Sequence, residues 1–167
     1  LTRDPYRILV SEVMLQQTQV DRVIPYYERW LEQFPTVEVL AAAPIRDVIA
    51  AWAGLGYNRR AVNLQRTARA VVDEYGGVFP STVDELIQLP GIGPYTSGAI
   101  AAFAFEQDVA FLDTNMRRVV HRLVFGSDLP TPTASEKEIV AAAAQLLPGR
   151  HGWVWYQALI EFGAIQC

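Results

Sequence analysis

The stretch LPGIGPYT, residues 89–96, decides how the rest of the chain is read. Pro94 fits the first turn of a new helix, and a short helix precedes Leu89 and Pro90. Between them, Gly91, Ile92 and Gly93 form a turn whose backbone geometry other residues resist. The amides of this turn and of the following helix can point outward as an anion site. Ile92 would plug into the core and hold the two helices together. For a lone Gly-x-Gly, a plain linker between helices is the better reading. The whole string is far more restrictive, so the flanking sequence is read for helices.

Working outward, no run alternates with period two over a strand's length, and helical patterns follow one another through short loops. Helices are predicted over 5–18, 20–33, 36–43, 45–53 and 58–75, the last ending at Gly76-Gly77. Thr82 with Glu85 forms a capping box for a short helix before the hairpin, and a helix opens at Pro94 after it. Asp113 precedes a helix over 114–125, and Thr133 with Glu136 forms a second capping box for 134–147. A last helix runs over 152–165, and 126–133 is the longest loop. An all-α fold follows.

The 167 residues, 51% of them hydrophobic, suffice for one domain or two small lobes with a substantial core. No apolar run reaches the ~18 residues that a membrane span needs. The net charge of −4 argues against nucleic acid only if it is averaged over the chain. Arginines cluster at Arg59, Arg60, Arg66 and Arg69, and again at Arg117, Arg118 and Arg122. Each cluster is either a DNA-facing patch or a solvated helix face. The single cysteine, Cys167, excludes an internal disulfide and suits a reducing compartment. Because the sequence starts at Leu1 rather than Met, it is expected to be a fragment, and a removed targeting segment stays open.

Two carboxylates stand in contrasting settings. Asp113 follows two apolar residues and opens an amphipathic helix. As an N-cap, its ionised form is stabilised by the helix dipole and free amides. Glu12, in SEVMLQQT (11–18), has Ile8, Leu9 and Leu15 within about 60° around a helix. The other faces are also apolar, so Glu12 is expected to be buried nearly all round, with desolvation raising its pKa. One protonated and one ionised acid is the arrangement that breaks a glycosidic bond. A structural hydrogen bond from Glu12 to a buried amide is the competing reading. Gln17 lies about 140° around the same helix from Glu12 and can face elsewhere.

LPGIGPYT resembles the helix–hairpin–helix motif of DNA repair enzymes, which grips DNA phosphates without reading sequence. The order SEVMLQQTQV, GLGYNRRAVNL, LPGIGPYTSGAI, LDTN and ALIEFGAIQC resembles the adenine DNA glycosylases of the MutY type, in the superfamily that includes endonuclease III. The resemblance covers essentially the whole chain. It implies a two-lobed fold: a six-helix lobe over 7–111 with the hairpin motif at 82–106, and a second helical lobe from 1–6 and 112–167. It also implies removal of adenine mispaired with 8-oxoguanine or guanine, after the base is flipped out of double-stranded DNA.

By the same resemblance, Glu12 protonates the adenine ring, Asp113 stabilises the sugar cation, and Asn115 is the asparagine beside that aspartate. Gln17 and Tyr57 push into the base stack, with Leu55 among the DNA contacts. Gly91, Gly93 and Thr96 belong to the phosphate-gripping hairpin, and Gln157 contacts the flipped adenine. Tyr95 stands where endonuclease III-like members carry a Schiff-base lysine, so a monofunctional glycosylase is expected.

There are departures. Thr114 replaces a glycine common after the catalytic aspartate. Cys167 matches the first of four cysteines that hold a four-iron, four-sulfur cluster in the family; the other three are expected beyond residue 167, as is the domain that recognises 8-oxoguanine. The chain is therefore expected to be a truncated catalytic core, without the cluster, weakly active or inactive alone, monomeric, intracellular and away from membranes. A thymine–guanine mismatch glycosylase and a non-catalytic DNA-binding module remain as alternatives.

Overall fold

The computed structural model describes residues 2–127, 133–149 and 152–166. Among these the fold is all-helical, as predicted. The helices are α1 (Pro5–Leu15), α2 (Val20–Gln33), α3 (Val37–Ala42), α4 (Ile45–Trp52), α5 (Arg59–Tyr75), α6 (Val83–Leu86), α7 (Pro94–Phe105), α8 (Thr114–Val124), α9 (Glu136–Leu146) and α10 (Gly152–Ile165). The chain divides into two compact units, Leu1–Ile100 and Ala101–Cys167. These units are contiguous in sequence, whereas the expected lobes ran over 7–111 and over 1–6 with 112–167. No helix among the described residues is long and apolar enough to cross a membrane.

In the first unit α5 is the element against which α1, α3 and α4 pack. Its apolar face (Ala61, Leu64, Ala68, Val71) is buried, and Gly76 ends it at φ 62°, where a Cβ would be disfavoured. The core centres on Trp30, with its ring 5.5 Å from Trp52 and 4.9 Å from Phe34, both edge to face. Two buried polar side chains find backbone partners: Tyr6 donates to Phe34 O at 2.7 Å, and Gln65 Nε2 donates to Ala43 O at 2.6 Å, capping the end of α3. Asp4 caps α1 by accepting from the Tyr6 amide at 2.9 Å, with Pro5 in the first turn.

Two helix boundaries differ from expectation. Helix α1 ends at Leu15, not at residue 18, so Gln17 lies past the helix and adopts φ 56°. Gln17 and Glu12 therefore do not share one helix, contrary to the expectation of about 140° between them. The second capping box is Ser135 with Glu138, two residues later than Thr133 with Glu136. Ser135 N donates to Glu138 Oε2 at 2.8 Å, while Glu138 N donates to Ser135 Oγ at 3.4 Å.

In the second unit α8 packs against both α9 and α10. A Cβ on Gly163 of α10 would lie 2.8 Å from Asn115 O, so only glycine lets α10 cross the first turn of α8 at this distance. Tyr156 donates to Val109 O at 2.6 Å and stacks against Phe111 with centroids 4.2 Å apart. The buried His121 accepts at Nε2 from the Thr133 amide at 3.1 Å and the Ala134 amide at 3.3 Å, tying the entry of α9 to α8.

Candidate active site

Glu12 opens the last turn of α1, between the buried Val13 and Met14 and the more open Ser11 and Leu15. It is half-buried, not enclosed on all sides, which corrects the expected burial. An all-round apolar pattern does not enclose a residue near a helix end, where the next loop sets the cover. The Tyr95 hydroxyl donates to Glu12 Oε2 at 2.8 Å. Tyr95 comes from the first turn of α7, positioned there by the Gly-Ile-Gly turn and Pro94. This hydrogen bond links the hairpin to α1.

Asp113 is the N-cap of α8, accepting from the Met116 amide at 2.7 Å. Burial pushes its carboxyl above the ordinary aspartate value; hydrogen bonds from the Met116 and Asn115 amides and the charge of Arg118 pull the other way. The expectation that helix-end amides dominate is therefore corrected: desolvation is the larger effect. Asn115 is held two residues on, beneath Gly163. Gln157 lies half-buried on α10. Glu12 and Tyr95 belong to the first unit, and Asp113, Asn115 and Gln157 to the second.

The hairpin is pinned from below. Gly91 has φ 83°, and a Cβ there would lie 2.7 Å from the Asn63 Cβ on α5. The Thr67 hydroxyl, one turn along α5, donates to Pro90 O at 2.6 Å. Gly91 is thus required by packing as well as by turn geometry, a reason the motif alone does not reveal. Gly93 has no such neighbour. Ile92 is buried, filling the core position expected of it.

A groove of about 520 Å³ opens beside the end of α1, lined by Gln16, Gln17, Tyr57, Arg59, Arg60 and Asn63. Gln17 is exposed, and Tyr57 is 69% exposed with φ 50°. Leu55 and Thr96, grouped with the DNA contacts, are instead only 5% and 3% exposed. Their side chains belong to the packing that supports the groove and the hairpin.

Sequence reasoning placed Arg60 in a basic cluster. In the structure its guanidinium is committed to protein carbonyls. Nη1 donates to Gln16 O at 2.6 Å, Val13 O at 2.9 Å and Met14 O at 3.1 Å. Nη2 donates to Leu55 O and Gly56 O, each at 3.2 Å. Burial lowers its pKa from the ordinary arginine value, and Tyr57 partly opposes this. Arg69 and Arg117 are likewise engaged, Arg69 with Ala41 O at 3.1 Å and Arg117 with Glu136 at 2.8 Å. No local pattern announces these roles, because many of the partners are distant in sequence: Val13, Met14 and Gln16 for Arg60, Ala41 for Arg69 and Glu136 for Arg117.

Among the described residues no group of His, Cys, Asp and Glu can hold a metal ion. Cys167 lies outside the described residues. A four-iron cluster takes four cysteine ligands, and the single cysteine of this sequence does not fit it.

An all-α chain whose glycine hairpin delivers a tyrosine to a carboxylate defines a helix–hairpin–helix protein. The family model of the HhH-GPD superfamily base excision DNA repair proteins matches residues 10–144, and the chain belongs to that superfamily. It is 46% identical over 163 residues to the adenine DNA glycosylase of Mycolicibacterium smegmatis, covering 97% of this chain and 55% of the relative. It thus spans about half the length of that relative. Among solved structures, a thermostable thymine-DNA glycosylase matches with TM-score 0.88 and 32% identity, over 98% of this chain and 76% of the other. A non-covalent endonuclease III–DNA complex matches with TM-score 0.85 and 26% identity, over 99% of this chain and 76% of the other.

Proposed function

We propose that the protein is a monofunctional adenine DNA glycosylase, acting on adenine paired with 8-oxoguanine or guanine in double-stranded DNA. The observation that carries this reading is the Tyr95–Glu12 hydrogen bond. At the position where related enzymes carry a Schiff-base lysine, this chain has a phenol that cannot form one and that orients a carboxyl group instead. Glu12 delivers a proton to the adenine ring, making the base a better leaving group. Asp113, held by the α8 amides, stabilises the positive charge that develops on the sugar as the bond breaks. Water then completes an abasic site. Asn115 and Gln157 are assigned to the neighbourhood of the sugar and the flipped adenine, and the exposed Gln17 and Tyr57 to the base stack. The amides around Gly91 and Gly93 are assigned to DNA phosphate. The high identity to an adenine DNA glycosylase supports adenine as the substrate.

A second reading, removal of thymine opposite guanine, is favoured by the match to a thymine-DNA glycosylase. A panel of duplexes carrying each mispair, scored for which free base appears, separates the two. Adenine release supports the first reading, and thymine release the second.

A further inference from the structure

Two non-glycine residues of the groove, Gln17 and Tyr57, have left-handed backbones at φ 56° and 50°. Such conformations cost on the order of 1–3 kcal/mol each and persist only where surroundings enforce them. The peptide bonds leading into them are Gln16–Gln17 and Gly56–Tyr57. Arg60 Nη1 holds Gln16 O, and Arg60 Nη2 holds Gly56 O. Arg60 Nε is buried and has no hydrogen-bond partner among the described residues, so the guanidinium is anchored through its two outer nitrogens. Its carbon lies 5.6 Å from the Tyr57 ring centroid and 5.2 Å from that of Trp52.

We propose that Arg60 is a positioning residue: one guanidinium clamps the end of α1 to the 53–58 loop and thereby sets Gln17 and Tyr57 at a fixed separation for insertion into a DNA base stack. The proposal rests on the DNA-repair reading above. The competing role for an arginine beside a DNA-facing groove is direct contact with phosphate. The two differ in what the side chain holds. A clamp needs the planar fork, which lysine cannot supply; a phosphate contact needs chiefly the charge.

The test uses the whole chain and a duplex with a fluorescent base analogue beside a mispaired adenine, reporting unstacking. Arg60→Lys is expected to weaken duplex binding at least tenfold and to reduce the fluorescence rise. In a Gln17→Ala/Tyr57→Ala background the same change is expected to have little further effect, because Arg60 acts through those residues. Wild-type-like binding by Arg60→Lys, or an equal effect in both backgrounds, overturns the clamp. If Arg60→Lys does not fold, the Arg60 guanidinium protons of the wild-type protein are followed by NMR. The clamp predicts slow exchange that is unchanged when duplex is added at different salt concentrations. Fast exchange, or shifts that follow salt-dependent binding, overturns it. A wild-type chain that binds no duplex contradicts the DNA-repair reading, and the exchange measurement then still reports whether Arg60 is clamped.

Discussion

The Tyr95 hydroxyl and Glu12 Oε2 lie 2.8 Å apart although 83 positions separate the two residues in sequence. The contact joins the first turn of α7 to α1, so the hairpin has a second task beside any hold on phosphate: it carries the group that orients the candidate acid. Tyr95→Phe keeps the ring and deletes only the donor. A net hydrogen bond is worth about 1 kcal/mol, and its loss predicts a kcat lower by about fivefold with KM nearly unchanged. Paired kcat and KM measurements check this. An unchanged kcat removes Tyr95 from the mechanism.

Asp113 predicts a conflict between stability and activity. Burial makes its native carboxyl bind a proton more tightly than the unfolded chain does. Its stabilising contribution is therefore complete below the ordinary aspartate pKa of about 4 and is lost as pH rises through the raised native value. Asparagine is an equally good N-cap and cannot ionise. Asp113→Asn is thus expected to melt above the wild type at neutral pH, with the difference shrinking toward pH 3. Thermal melts across this range check it; a lower Tm for the variant at neutral pH would show that the amide hydrogen bonds outweigh desolvation.

Gly91 and Gly93 are expected to differ. Alanine at 91 meets Asn63 at 2.7 Å and a φ of 83°, which predicts a loss of about 1–3 kcal/mol and weaker duplex binding as the turn shifts. Alanine at 93 meets no atom within 4 Å and is expected to cost less than about 1 kcal/mol. Denaturant titrations of the two variants provide the comparison. Equal losses would mean that the close contact with Asn63 is not what fixes the hairpin.

Gly163 is expected to act on the site from α10. A Cβ there meets the Asn115 backbone at 2.8–2.9 Å, and backbone cannot swing aside as a side-chain tip can. Gly163→Ala predicts a loss of about 1–3 kcal/mol and a shifted first turn of α8. Because small misplacements near reacting groups are costly, activity is expected to fall by up to about 10²-fold. Melting and turnover measured together check both parts, and a stable, fully active variant would show that α10 does not position Asn115.

These residues also mark what the sequence could reveal. The helices with local stop and start signals were legible: Thr82 and Asp113 cap α6 and α8 as their chemistry directs, and Gly76 ends α5. The end of α1 was not legible, because Arg60 takes the carbonyls of its final residues from more than forty positions away. The choice between two overlapping capping boxes was also non-local. Thr133-Ala134-Ser135-Glu136 and Ser135-Glu136-Lys137-Glu138 both satisfy the pattern, and in the structure His121 engages the Thr133 and Ala134 amides outside the helix. At the candidate site, motifs picked out residues by number. Their surroundings were not legible: the partial exposure of Glu12, the desolvation of Asp113 and the packing under Gly91 depend on which distant chain covers them.

The proposed function assigns Glu12 and Asp113 each a part in adenine release. It is tested most directly by single-turnover base release, with protein in excess, from a duplex pairing adenine with 8-oxoguanine. Free adenine is expected as the released base. Asp113→Asn is expected to slow release by on the order of 10²–10³-fold and Glu12→Gln by about 10²-fold or more. Release of a different base, or adenine release that neither substitution changes, would contradict the proposed function.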